Sequence, residues 1–339
     1  MDIERKSIKK ANLEKLFDII KNSGKQIIAP KKKADQVNFE KVSSFTEITD
    51  DYIVTNMSAK SVVFPKVEKL FEFTTDEEGK KVKTKDLNAI PEVVLWGARP
   101  CDAMGFGALN AIFTWDYVDE IFTTRLQKTT IISFSCNKSD EYCFCTSVGG
   151  GPGNVQGSDM QLTYTGNDAY LVEIITEKGK AIADLTKDLF EPAPEVDKAK
   201  HLADVPVKFD QKVIKANAEK YFESDLWLEQ SLRCLGCGSC AFNCPTCACF
   251  DIQDEGTQKK GERVRLWDSC GLALFTLHTS GHNPREVQSQ RWRQRIMHKF
   301  SYMPDRQSVL GCEGCGRCSK SCPVDMNILQ HLINISEVK

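Results

Sequence analysis

Apolar residues recur at helical spacing between residues 11 and 22, which predicts an amphipathic helix there. Short apolar runs with strand character follow at Ser61–Phe64, Glu92–Trp96, Thr129–Phe134, Gln161–Thr165 and Ala169–Ile175. Met104–Phe113 reads as a helix between the second and third of these runs. Strand, tight turn, helix and strand is the order of a βαβ unit, so residues 1–208 are expected to form an α/β domain. Pro192, Pro194 and Pro206, set among charges in Glu191–Pro206, mark a linker.

The pattern then changes. Residues 209–339 read as an all-α domain interrupted by cysteine-rich stretches. One helix start there has a stated mechanism: Asn283 can cap, Pro284 suits the first turn, and Glu286 completes a capping-box-like pair. That helix is expected to run to about Tyr302 and to stop before Pro304. Trp292, Ile296 and Phe300 fall on one face of it as a buried stripe, while Arg291, Arg293, Arg295, His298 and Lys299 crowd the rest.

Composition narrows the class. The 339 residues are enough for two domains, and 41% hydrophobic with 27% charged residues is ordinary for a globular protein. A net charge of −2 gives no global attraction to nucleic acid or to an anionic membrane. No apolar run approaches the roughly 18–20 residues of a membrane span. The charged, helix-periodic N-terminus lacks the apolar core and cleavage site of a signal peptide, so a cytoplasmic location is expected. Fifteen cysteines in a reducing compartment imply metal rather than disulfides.

Spacing identifies the metal. Cys234, Cys237, Cys240 and Cys244-Pro245 fit C-x2-C-x2-C-x3-C-P, and Cys312, Cys315, Cys318 and Cys322-Pro323 repeat it without a gap. This is the ferredoxin-type run in which the fourth cysteine ligates the other cluster. The expected assignment is therefore one [4Fe–4S] cluster on Cys234, Cys237, Cys240 and Cys322, and a second on Cys312, Cys315, Cys318 and Cys244. Structural zinc usually takes separated pairs of ligands and fits such dense runs poorly. The C-x3-C-x2-C of a radical-SAM enzyme is absent. Cys244 and Cys312 lie 68 positions apart, which suggests the α-helical ferredoxin arrangement of multi-subunit oxidoreductases rather than a small free ferredoxin. Near such clusters, the helix cations either form a solvated face, offset cluster charge or dock an acidic partner. Cys247, Cys249 and Cys270 are read as buried packing thiols.

A second constellation lies upstream. Cys101 follows one strand and Cys136 ends the next, so neighbouring parallel strands would bring both to one sheet edge, with Cys143 and Cys145 in the loop beyond. These four residues hold either a third iron–sulfur cluster or no cluster, as buried thiols beneath a cofactor-docking loop. The glycine run Gly149–Gly153 lacks a following Lys-Ser/Thr, and no G-x-G-x-x-G joins a strand to a helix, so no phosphate loop or Rossmann fingerprint is read.

Taken in order, these residues resemble a known family. They include Phe64-Pro65 before Leu70-Phe71, Arg99-Pro100-Cys101-Asp102, Cys143-Phe144-Cys145 and Cys244 through Phe250. Trp267-Asp268-Ser269-Cys270, Gly281 through Arg285 and His298-Lys299-Phe300 continue the set. The chain is similar to the dicluster iron–sulfur subunits that include the β subunit of sulfhydrogenase-type NiFe hydrogenases and the A subunit of anaerobic sulfite reductase. The resemblance implies an electron relay between an FAD- and NAD(P)-binding subunit and a catalytic subunit of hydrogenase, sulfite reductase or heterodisulfide-reductase type. The competing reading is a reductase with its own catalytic thiol or flavin site in the N-terminal domain, with Arg99 lowering the pKa of Cys101. A purely structural role for the clusters is a third reading, and adjacent crossed motifs argue against it.

Overall fold

The computed structural model describes residues 3–77 and 79–338. Its strands are β1 (Glu4–Lys9), β2 (Gln26–Lys33), β3 (Gln36–Val42), β4 (Val67–Asp76), β5 (Gly79–Thr84), β6 (Val93–Ala98), β7 (Thr129–Phe134), β8 (Met160–Gly166), β9 (Ala169–Ile174), β10 (Glu191–Pro192), β11 (Phe250–Gly256) and β12 (Lys260–Trp267). Its helices are α1 (Leu13–Asn22), α2 (Pro100–Phe113), α3 (Glu120–Gln127), α4 (Glu177–Leu185), α5 (Gln211–Lys220), α6 (Leu226–Ser231), α7 (Ser239–Phe242), α8 (Gln288–Met297), α9 (Met303–Gln307), α10 (Arg317–Lys320) and α11 (Ile328–Glu337).

The larger sheet runs β10-β1-β9-β8-β7-β6-β2-β3. Its centre, β2-β6-β7-β8, is parallel and its flanks are antiparallel. All six positions of β6 are buried, because helices cover both faces of the sheet. On one face Leu13, Leu16, Phe17 and Ile20 of α1 pack with Ile182 of α4 against Val94, Trp96 and Ile132. On the other, Phe106, Leu109 and Phe113 of α2 pack with Phe122 of α3 against Leu95 and Ile131. The N-terminal region is therefore a three-layer α/β structure.

Four sequence expectations need correction. Ser61–Phe64 is not a strand: Ala59–Val62 forms a 3-10 turn, and the Phe64 N–H donates to the Lys60 carbonyl at 2.8 Å. Its apolar side chains fill the α2 face of the core, which is why the run looked strand-like. Glu191–Pro206 is not a free linker. It contributes β10 and anchors Lys198, which donates to Gly153 O and Gln161 Oε1, each at 2.7 Å.

The region after 208 is not all-α. β11 and β12 form a hairpin, and β12 pairs antiparallel with β4 to make a sheet ordered β11-β12-β4-β5. Ile252, Val264 and Leu266 do alternate with polar residues, but so many charges surround them that the period-2 signal is faint. The insertion between the cysteine motifs thus begins as sheet and becomes helical only at α8.

The helix expected from Asn283 starts at Gln288. Asn283 instead closes a turn, accepting from Arg285 N–H at 3.1 Å and Thr276 Oγ1 at 2.7 Å. The helix also passes Pro304. A π turn at His298–Tyr302 lets the Met303 N–H donate to the His298 carbonyl, and Pro304 then occupies the first turn of α9. Trp292, Ile296 and Phe300 are buried together with Ile328, Leu329 and Leu332 of α11 in a third core.

Candidate iron–sulfur sites

The first motif forms a loop between α6 and α7 and turns into α7 at Gly238, whose φ is +74°. Cys234, Cys237 and Cys240 line one cavity together with Cys318 and Cys322 of the second motif. Trp292 and Arg295 of α8 form its inner wall. Gln288 Nε2 donates to Cys234 Sγ at 3.0 Å, and the Met326 N–H donates to Cys322 Sγ at 3.2 Å. Cys237 is exposed, so this set sits at the molecular surface. We call it the outer set.

The second motif lies deeper. Cys312 and Cys315 are buried, and so is Cys244, which acts electrostatically on Cys312, Cys315 and Cys318. Burial pushes the Cys318 thiol up to about 12. Lys299 Nζ donates to Cys244 Sγ at 3.3 Å, to Thr246 Oγ1 at 3.1 Å and to Gly311 O at 2.6 Å. Cys244, Cys312, Cys315 and Cys318 are the inner set.

A third gathering involves the N-terminal region. β6 and β7 are adjacent and parallel, so Cys101 at the start of α2 and Cys136 just beyond β7 emerge at one sheet edge. Cys101, Cys136, Cys143 and Cys145 line one cavity, closed by Glu313, Gly314 and Cys315. The Phe144 N–H donates to Gly314 O at 2.9 Å, locking the Cys143–Cys145 loop onto the second motif. Glycine is needed at this contact: φ at Gly314 is +60°, and a Cβ would lie 2.6 Å from the Cys145 nitrogen.

Arg99 does not activate Cys101. Its guanidinium donates to the carbonyls of Tyr52, Ile53 and Ser135. The cation nearest Cys101 is Arg317, 3.9 Å from its sulfur and paired with Asp102 at 2.7 Å. Burial pushes Cys143 up to about 12 and Cys145 up to about 11, the opposite of what a thiolate nucleophile needs.

Cys247, Cys249 and Cys270 stand beside these sets. Arg295 lies 3.5 Å from Cys247 Sγ, and the Cys249 and Cys270 thiols interact with each other. Among the described residues no group of three or more His, Cys, Asp or Glu could hold a single metal ion; the sulfurs line cavities instead. An all-cysteine donor set, close-approaching glycines and a buried Arg295 Nε without a hydrogen-bond partner all fit a group that brings its own sulfide acceptors.

The helix cations also resolve. Arg291, Arg295 and Lys299 are buried rather than solvated. Arg293 turns outward to Glu223 at 2.9 Å and the Phe222 ring at 3.8 Å. Sequence reasoning missed Arg317 and Gln288. A signal for the former existed: superposing the motifs sets Ser239 against Arg317 and the exposed Leu235 against the buried Glu313. These are the positions where one motif meets solvent and the other meets the N-terminal region.

Fold and cysteine sets together define an iron–sulfur protein. Residues 233–326 match the family model of the 4Fe-4S dicluster domain. The matched stretch holds both cysteine motifs and the segment between them. The chain is 28% identical over 331 residues to Sulfhydrogenase 2 subunit beta of Pyrococcus furiosus, with 95% of each chain covered. No solved structure matches it. Among the described residues no helix is long and apolar enough to cross a membrane.

Proposed function

We propose that this chain is the electron-relay subunit of a multi-subunit oxidoreductase, passing electrons between an FAD- and NAD(P)-binding subunit and a catalytic subunit. In this reading Cys234, Cys237, Cys240 and Cys322 hold one [4Fe–4S] cluster, and Cys312, Cys315, Cys318 and Cys244 hold another. Cys101, Cys136, Cys143 and Cys145 hold a third. Each cluster supplies a one-electron couple when bound. The chain's own residues fix the route.

One observation carries the reading: the three cysteine sets form a continuous line. Cys318 borders the outer cavity while belonging to the second motif, and Cys315 borders the N-terminal cavity. The line begins at exposed Cys237, beside the exposed Leu232 and Leu235, and ends at a cavity that also touches Lys138 and Ser139. Two ends give two places for partners. All fifteen cysteines are unbridged, which suits the reducing cytoplasm. The raised pKa values of the half-buried Cys143 and Cys145 thiols argue against a catalytic cysteine in that loop.

The test is iron and acid-labile sulfide on anaerobically purified protein. About twelve irons per chain are expected, and about eight would remove the N-terminal site. Near-zero iron with stoichiometric zinc would overturn the relay. Activity of the isolated chain with an artificial electron donor would favour the reductase instead.

A further inference from the structure

The charges around the outer and inner sets differ in kind. The outer sulfurs meet neutral donors, the Gln288 amide on Cys234 and the Met326 N–H on Cys322. The inner sulfurs meet cations away from water. Lys299 is 4% exposed, and its ammonium donates to Cys244 Sγ at 3.3 Å. Arg317 also faces the inner set, but Asp102 at 2.7 Å answers its charge. Arg295 is shared, because it acts on Cys240 of the outer set and on Cys244 and Cys318 of the inner. Two other buried cations stand close by, but Arg291 at the outer cavity donates to Gln288 Oε1 and to the carbonyls of Arg285 and Glu286, and Lys60 donates to the carbonyls of Ala241 and Cys247. Lys299 is the cation that donates directly to a sulfur of one of the two sets.

A buried cation is costly unless something nearby carries negative charge. A cluster gains one negative charge on reduction, so a fixed cation beside its ligands favours the reduced form and raises its potential. We propose that Lys299 holds the inner [4Fe–4S] site at a higher reduction potential than the outer one, so that electrons rest at the inner set between the two partners. The proposal rests on the relay reading above. No bond forms or breaks in this step: one electron leaves the outer set and one arrives at the inner set.

Lys299 also has a structural tie. It lies in the π turn, and its carbonyl accepts the Gly311 N–H at 2.9 Å while its ammonium donates to Gly311 O at 2.6 Å. The backbone half of this clamp survives any side chain at 299, so side-chain replacement isolates the charge.

The experiment is a mediated redox titration, followed by electron paramagnetic resonance, of full-length wild type, Lys299→Gln and Lys299→Arg with iron and sulfide assayed on each. At full iron content, Lys299→Gln is expected to move one cluster signal to lower potential and the other much less, while Lys299→Arg stays near wild type. Unmoved signals in Lys299→Gln, or equal shifts in both variants, overturn the proposal. If Lys299→Gln loses iron, Arg295→Gln replaces it and is expected to lower both signals; no shift there also overturns the role assigned to these cations. A wild type with no reducible cluster instead sinks the relay reading itself.

Discussion

His298 and His331 are neutral residues in a neighbourhood of cations. Burial, helped by Lys299 and Arg295, pushes His298 down to about 4, and burial, helped by Arg233, does the same to His331. In the unfolded chain both take up a proton near pH 6.5. Between about 6.5 and 4 the unfolded state therefore binds more protons, and stability falls as pH drops through that window. The denaturation midpoint should be lower at pH 5 than at pH 7.5, by an amount on the order of a few kcal/mol in stability. His298→Gln with His331→Gln should flatten the difference, and an equal slope in wild type and double variant would sink the assignment. At this scale the sequence was most informative for which cysteines gather, because ferredoxin-type spacing wraps a loop around a common centre. It was least informative for the charges. The spacing of Arg291, Arg295 and Lys299 shows that they share a face, but only packing shows that the face points at sulfur.

Elements built from mixed patterns were the hardest to read. β6, β7, β8 and β9 coincide with expected strands within one or two residues, because they lie at the sheet centre where apolar runs are dense. β4, β5, β11 and β12 escaped notice because their outer face is largely charged. Their sheet is pinned by a buried carboxylate. Glu68 on β4 has no exposed side-chain surface and accepts from Lys85 and Arg125 at 2.8 Å and from Arg265 of β12 at 2.5 Å. Arg265 also pairs with Asp119 and lies 5.3 Å from the ring centres of Phe64 and Phe113. Removing one partner of a buried ion pair leaves the other uncompensated, so Glu68→Ala should cost about 3–5 kcal/mol. Chemical denaturation checks this, with Glu72→Ala on the exposed face of β4 as a control that should change little. Equal midpoints for the two variants would mean that Glu68 does not pin the sheet.

The composition change near residue 208 is real, yet the folded chain ignores it. β12 pairs with β4 from Lys260↔Thr74 to Leu266↔Val67, tying the region between the cysteine motifs to the N-terminal half. Arg317 inside the second motif pairs with Asp102 at the start of α2, and neither side chain is more than 1% exposed. The Phe144 N–H bonds Gly314. No local pattern announces such long-range pairings, so reading along the chain separates halves that pack as one. The inner set is consequently built from both halves: its sulfurs and cations come from the C-terminal region, while the carboxylate that pairs with Arg317 and the cover come from Asp102 and the Cys143–Cys145 loop. A fragment of residues 209–339 should therefore retain the outer set and lose the inner one, because every hydrogen-bond partner of the Arg317 guanidinium lies in the N-terminal half and its loss opens the second motif to water. Iron assay of that fragment is expected to give clearly fewer than the about eight irons that two intact [4Fe–4S] sites would hold. Limited proteolysis should cut it first within β11–β12, which would have lost β4. A fragment with about eight irons and the protease resistance of the whole chain would show that the second motif assembles its site without the N-terminal half.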